Sequence, residues 1–167
     1  MNFAASDTLP PPAAEQPAAG DPIEVRHSAI HGLGVFARCH LPADEPIGVY
    51  EGRRYTEDEA AQRDWDAGIT YVFGLSDGGL IDGAEGGNAT RHLNHACRPN
   101  CAAYETEGED GRLQVVIHTL RDIEPGEELL LDYALDTAGA DPAAFPCRCG
   151  SENCRGTMAA MDEAAAG

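Results

Sequence analysis

Apolar positions along the chain fall in short runs broken by glycine, proline and charge, the pattern of strands rather than of long amphipathic helices. IEVRHS from Ile23, GVFARC from Gly34 and IGVYEG from Ile47 are three such runs. TYVFGL from Thr70 and LID from Leu80 flank a turn at Asp77-Gly78-Gly79, and NCAAYETE and RLQVVIHTL flank a GEDG turn, so two hairpins are expected. ELLLDY from Glu128 is a last short strand. One helix is signalled. Thr56 with Glu59 forms a capping box, and the helix is expected to run through Trp65 and stop at Gly68. Strands and helices do not alternate, so nothing argues for a parallel sheet. The pattern describes a mainly β, loop-rich domain with one modest helix.

The length, 167 residues, allows one core and flexible ends. Residues 1–21 are dominated by Ala and Pro and cannot bury enough side chain to offset their ordering entropy. They read as a disordered lead, and residues 159–167 as a flexible tail. The 11 cations, all arginine, face 29 acidic residues for a net charge of −18. Such a chain lacks the basic face a nucleic-acid binder needs. No apolar run approaches a membrane span, and the first residues lack a secretory signal. An intracellular, cytoplasmic protein is expected, or a nuclear one if its source is eukaryotic or if it is delivered to a host. Usage rich in Ala, Gly and Arg without Lys points to a biased genome of bacterial type. In a reducing compartment the six cysteines are thiols or metal ligands rather than disulfides.

Cys147, Cys149 and Cys154 form a C-x-C-x4-C clamp that suits zinc but supplies three ligands where a structural site needs four. The nearest candidates for the fourth are Cys97 and Cys101, with His95 ranked behind them. Cys39, isolated at a strand edge, reads as a small packed residue. The run from Arg91 to Asn100 (RHLNHACRPN) is dense in donors and acceptors able to hold a polar ligand or to lock crossing loops.

GLGVFA from Gly32, the Arg91–Asn100 segment, ELLLDY and the terminal cysteine clamp stand in an order and spacing that resemble the SET-domain protein lysine methyltransferases. The matching patterns there are G-x-G-V-F, R-F-x-N-H-S-C-x-P-N, E-L-x-x-D-Y and the post-SET zinc segment. The resemblance covers residues 22–158, divided into a SET domain at 22–136 and a post-SET segment at 137–158. His92 stands where the family has Phe, Ala96 where it has Ser, and Thr157 where an aromatic is frequent.

The resemblance implies a β-clip of small twisted sheets whose C-terminal segment threads under a loop as a pseudoknot. It implies S-adenosylmethionine and Zn2+ as cofactors, and a basic, lysine-containing protein or peptide, histone or histone-like, as substrate. Gly32, Leu33, Gly34, Arg91, Asn94, His95, Tyr133 and Met158 would bind the cofactor, with Tyr133 catalytic. Tyr50, Tyr71, Tyr104 and Leu131 would line the lysine channel, Leu131 favouring methylation past the first step. Zinc would sit on Cys97, Cys147, Cys149 and Cys154. The competing reading is a SET-like, zinc-containing interaction module without catalysis.

Overall fold

The computed structural model describes residues 20–63, 71–137 and 139–160. Residues 1–19 of the lead, Trp65 to Gly68 and residues 161–167 of the tail lie outside them. The helix ends earlier than expected, at Gln62, where Arg63 is already extended, and the first tail residues belong to the fold, Ala159 being 2% exposed and bridged to Leu135.

Among the described residues, three small sheets enclose one core. The first runs β1(Ile23–His27), β2(Leu33–Ala37), β10(Glu128–Leu131) and β7(Asn94–His95). β3(Pro46–Val49), β9(Leu113–Thr119) and β8(Cys101–Glu107) make the second, and β4(Arg53–Tyr55), β6(Leu80–Asp82) and β5(Val72–Gly74) the third. Both expected hairpins are present, β5 with β6 and β8 with β9. In the turns Gly78 (φ 85°) and Gly111 (φ 73°) adopt the left-handed conformation that favours glycine. Val35, Ile81, Ile117 and Leu129, one each from β2, β6, β9 and β10, are fully buried and interlock the three sheets with Ile123. Each such side chain contributes about 1.5–3 kcal/mol of burial.

Helix α1(Glu57–Gln62) starts on the expected capping box, the Thr56 hydroxyl accepting from Glu59 N and the Glu59 carboxylate accepting from Thr56 N. It buries no residue of its own. Its end is tied down by Arg63, which donates to Glu85 and lies 4.9 Å from the Tyr55 ring centre, with Arg53 at 4.8 Å from the same ring.

Two departures from the sequence pattern bear on function. β10 pairs antiparallel with β2 but parallel with β7, Leu130 opposite Asn94 and Leu131 opposite His95. The crossover between the parallel partners is the β8–β9 hairpin rather than a helix, so no strand–helix alternation announces it. Cys39 is exposed just beyond β2 and is not the packed residue expected.

Candidate functional site

The β7–β10 pairing brings the Asn-His segment beside the end of ELLLDY. The Tyr133 backbone N–H donates to His95 Nδ1 at 3.1 Å, and the two rings lie 5.3 Å apart. Because Nδ1 accepts, the neutral ring carries its proton on Nε2, which faces Cys97 Sγ at 3.5 Å. Burial holds the His95 imidazole below its usual range, against Asp132, which raises it.

Tyr133 is 37% exposed as a residue, yet its hydroxyl points inward and donates to the Leu93 carbonyl at 2.7 Å. Burial first, then the Tyr71 phenol and the Glu128 carboxylate, push it up to about 12. Tyr50 is buried, donates its hydroxyl to the Tyr71 carbonyl at 2.7 Å and packs edge-on to Phe73. Burial again raises it, with the charges of Tyr133, Asp82 and Tyr71 adding to the effect. Tyr50 thus holds Tyr71 through its backbone carbonyl, and the phenols of Tyr50, Tyr71 and Tyr133 lie close enough for their charges to act on one another. His92, in the place of the family's phenylalanine, lies edge-on to Tyr71 at 6.1 Å and accepts from Arg91 Nε at 3.1 Å.

The other two channel candidates are placed differently. Tyr104 stands on β8, 49% exposed, its ring edge-on to His118. Leu131 is 3% exposed and belongs to the main core, so its side chain packs with the sheet residues.

Asn94 is held by more partners than a loop amide needs. The two hydrogens of its Nδ2 serve three acceptors, Glu128 Oε1 (2.8 Å) and the carbonyls of Leu33 (3.0 Å) and His31 (3.2 Å), so one hydrogen is shared. Ser28 donates to the other oxygen of that carboxylate at 2.9 Å. These bonds fix which way the amide faces and leave Oδ1, among the described residues, as the acceptor without a protein donor. A Cβ on Gly34 would meet Glu128 Oε1 at 2.2 Å, so only glycine lets the carboxylate reach Asn94. Gly32 turns the chain at φ 48° with open space where a Cβ would be. A fixed acceptor beside the exposed turn at Gly32 fits a ligand carrying an ammonium group.

The four cysteine sulfurs expected to hold zinc come together, all within 4.8 Å of one another. Cys97 lies 3.6 Å from Cys147 and 3.9 Å from Cys154. A tetrahedron with Zn–S bonds of about 2.3 Å has edges of about 3.8 Å, so the thiols fit that ion and are too far apart for disulfides. Burial raises Cys97, and raises Cys147 to about 12. Burial opposes ionising Cys149 too, but hydrogen bonds to the Cys97 backbone, to Ser151 and to Cys147 outweigh it and bring this thiol down to about 6. Cys101 sits in the core on β8, pushed up to about 12 by burial, and takes no part.

Arg155, beside the last of these cysteines, donates its backbone N–H to Cys97 Sγ at 3.3 Å and forks its guanidinium onto Asp132 at 2.5 and 2.7 Å. Met158 is half-buried and bridges two segments, its N–H donating to the Phe145 carbonyl and its own carbonyl accepting from Leu135 N. Glu128, Asp132 and Arg155 were missed as site residues in the sequence. Their only signal was position, inside or next to motifs whose other members drew attention.

Residues 32–134 match the profile of the SET domain. The chain is 35% identical over 142 residues to a protein of Emericella nidulans named histone-lysine N-methyltransferase, H3 lysine-4 specific, and 36% identical to the Saccharomyces cerevisiae protein of the same name. Both alignments cover 82% of this chain, which spans 12–13% of the length of those relatives. Among solved structures, ctPRC2 in an autoinhibited conformation bound to S-adenosylmethionine superposes with a TM-score of 0.60 at 25% identity, over 69% of this chain and 15% of that one.

Proposed function

Because the chain belongs to the SET-domain family, we propose that it transfers methyl groups to lysine side chains of a basic protein tail, with S-adenosylmethionine as donor. The observation that carries the reading is Tyr133, whose backbone is held by His95 and whose hydroxyl is fixed on Leu93 beside Tyr71. Asn94 and His95 stand at the same point with their orientations set. An interaction module without catalysis would not require this trio to be aligned.

When bound, S-adenosylmethionine supplies a methyl group activated on a cationic sulfonium. Transfer to an amine is an in-line displacement governed by alignment. The backbone from Gly32 to Gly34, Arg91, the Oδ1 of Asn94 and the backbone at His95 would hold the donor, with Met158 closing from the zinc segment. The Tyr133 hydroxyl would align the reacting centre and stabilise its charge by fixed dipoles, needing no reorganisation. Tyr71, supported by Tyr50, would wall the lysine channel. Burial beside a positive charge lowers the lysine pKa, so the amine can lose its proton without a dedicated base. Zinc on the four cysteines would hold the C-terminal segment over the site.

The relatives' names make an H3 tail the first substrate to try. A net charge of −18 would draw in any such basic segment. The chain contains no lysine and so cannot methylate its own side chains. Incubation with radiolabelled S-adenosylmethionine and a panel of core histones, H3 tail peptides and basic bacterial proteins tests the reading. Label in at least one basic protein, lost with Tyr133→Phe, is expected; no label in any of them overturns it.

A further inference from the structure

The turn that carries Tyr133 is not self-sufficient. Immediately after it Ala134 adopts φ 42°, a left-handed conformation unfavourable for a residue with a Cβ. The turn is held by Asp132, whose Oδ1 accepts from Ala134 N at 3.1 Å. Asp132 in turn is held by Arg155, across a bidentate pair in which each carboxylate oxygen takes one guanidinium nitrogen. Such forks fix geometry as well as charge.

Arg155 belongs to the cysteine segment in every respect. It follows Cys154, and its backbone N–H donates to Cys97. Its Nε is buried without a hydrogen-bond acceptor among the described residues. Four thiolates around Zn2+ carry a net charge of about −2, which the guanidinium partly neutralises. His95 makes a second link, from Cys97 to the Tyr133 backbone, with its Nδ1 3.6 Å from Asp132 Oδ1. Tyr133 is therefore suspended between two connections to the same cluster.

We propose that Arg155 and Asp132 are positioning residues, a latch through which the metal-filled cysteine cluster sets the place of the Tyr133 hydroxyl. The proposal rests on the reading of Tyr133 as the catalytic hydroxyl. Without the fork, Asp132 can release Ala134 to an ordinary negative φ and Tyr133 swings out of line, while four thiolates still hold the metal. Cluster occupancy and catalytic alignment are then separable, and Arg155 is the point of separation.

The test uses the zinc-loaded full chain labelled with 3-fluorotyrosine, the Tyr133 resonance being assigned by its loss in Tyr133→Phe. Arg155→Gln and Asp132→Asn are expected to keep about one zinc per chain and a cofactor affinity within about threefold of the parent. Their kcat should fall about 10²-fold, the effect of misplacing a reacting group by roughly 1 Å. Arg155→Lys, with the charge but not the fork, should fall between. In zinc-loaded Arg155→Gln the Tyr133 fluorine signal should lie away from its parent position, towards that of the chelator-treated parent. Parent-like kcat in both variants overturns the latch. So does zinc loss in proportion to activity, or a Tyr133 signal coincident with the parent. If the parent transfers no methyl group at all, the proposed function fails, and the zinc and fluorine readouts still decide the latch.

Discussion

Replacing Asn100 with alanine removes the side chain that completes β10. In that strand Leu129 faces β2, while the backbone of Glu128 and Leu130 points the other way, where β7 is only two residues long. Asn100 stands in for the missing strand, its Nδ2 donating to the Glu128 carbonyl at 2.8 Å and its Oδ1 accepting from Leu130 N at 2.7 Å. At 2% exposed, it leaves no room for water to substitute freely. Each buried backbone group stripped of its partner costs about 1–3 kcal/mol, so the substitution should destabilise by about 2–6 kcal/mol. Against a typical total of about 5–15 kcal/mol, that is enough to unfold a weak domain. Urea unfolding followed by far-UV circular dichroism, with zinc held in excess, measures the loss. Gln114→Ala, on the hairpin surface with one long hydrogen bond of 3.4 Å, is the control and should change stability by no more than about 0.5 kcal/mol. A loss below about 1 kcal/mol for Asn100→Ala, equal to one ordinary hydrogen bond, would refute the argument that the side chain acts as a strand.

Further outcomes follow from the site. Tyr133→Phe should lower turnover about 10²–10³-fold while its melting temperature drops by only a few degrees, which steady-state kinetics and calorimetry compare directly. Metal analysis of an unchelated preparation should find about one zinc per chain, and chelation should open residues 139–160 to proteolysis while β8 and β9 stay protected. Because Tyr133 is pushed up to about 12, it stays protonated as pH rises from 7 to 10. Turnover should climb over that range as the target amine loses its proton, and a fall there would contradict the protonated phenol. Raising salt from 0.1 to 1 M shortens the Debye length from about 10 to 3 Å, so kcat/KM for a basic peptide should drop; a flat response would remove charge from recognition.

The strands legible in the sequence were those with a run of apolar residues and a turn to end them, as at Ile23, Leu113 and Glu128. β4 and β7 were not legible. Arg53-Arg54-Tyr55 and Asn94-His95 are polar, and tertiary contacts make them strands where their own propensity does not. The cysteine set was readable because thiolate spacing is a chemical constraint, and Cys97 joined it only through the motif it sits in. Spacing said nothing about burial, so neither the 3% exposure of Leu131 nor the exposure of Cys39 was legible. Arg155 and Asp132 were invisible as a pair, since a contact across 23 residues leaves no periodic trace.

The strand order sets a timetable for synthesis. β2 pairs with β1 as soon as residue 37 emerges, but its other neighbour, β10, is not made until residue 128. At about 5–20 residues per second that edge waits on the order of 5–18 s with its hydrogen-bonding groups unclaimed. Val35 and Phe36 lie on the waiting strand, and an open apolar edge invites a second nascent chain to pair with it. Slower growth temperature or a chaperone that shields strand edges should therefore raise the recovered yield of this protein without altering the unfolding midpoint of the molecules that reach the native state.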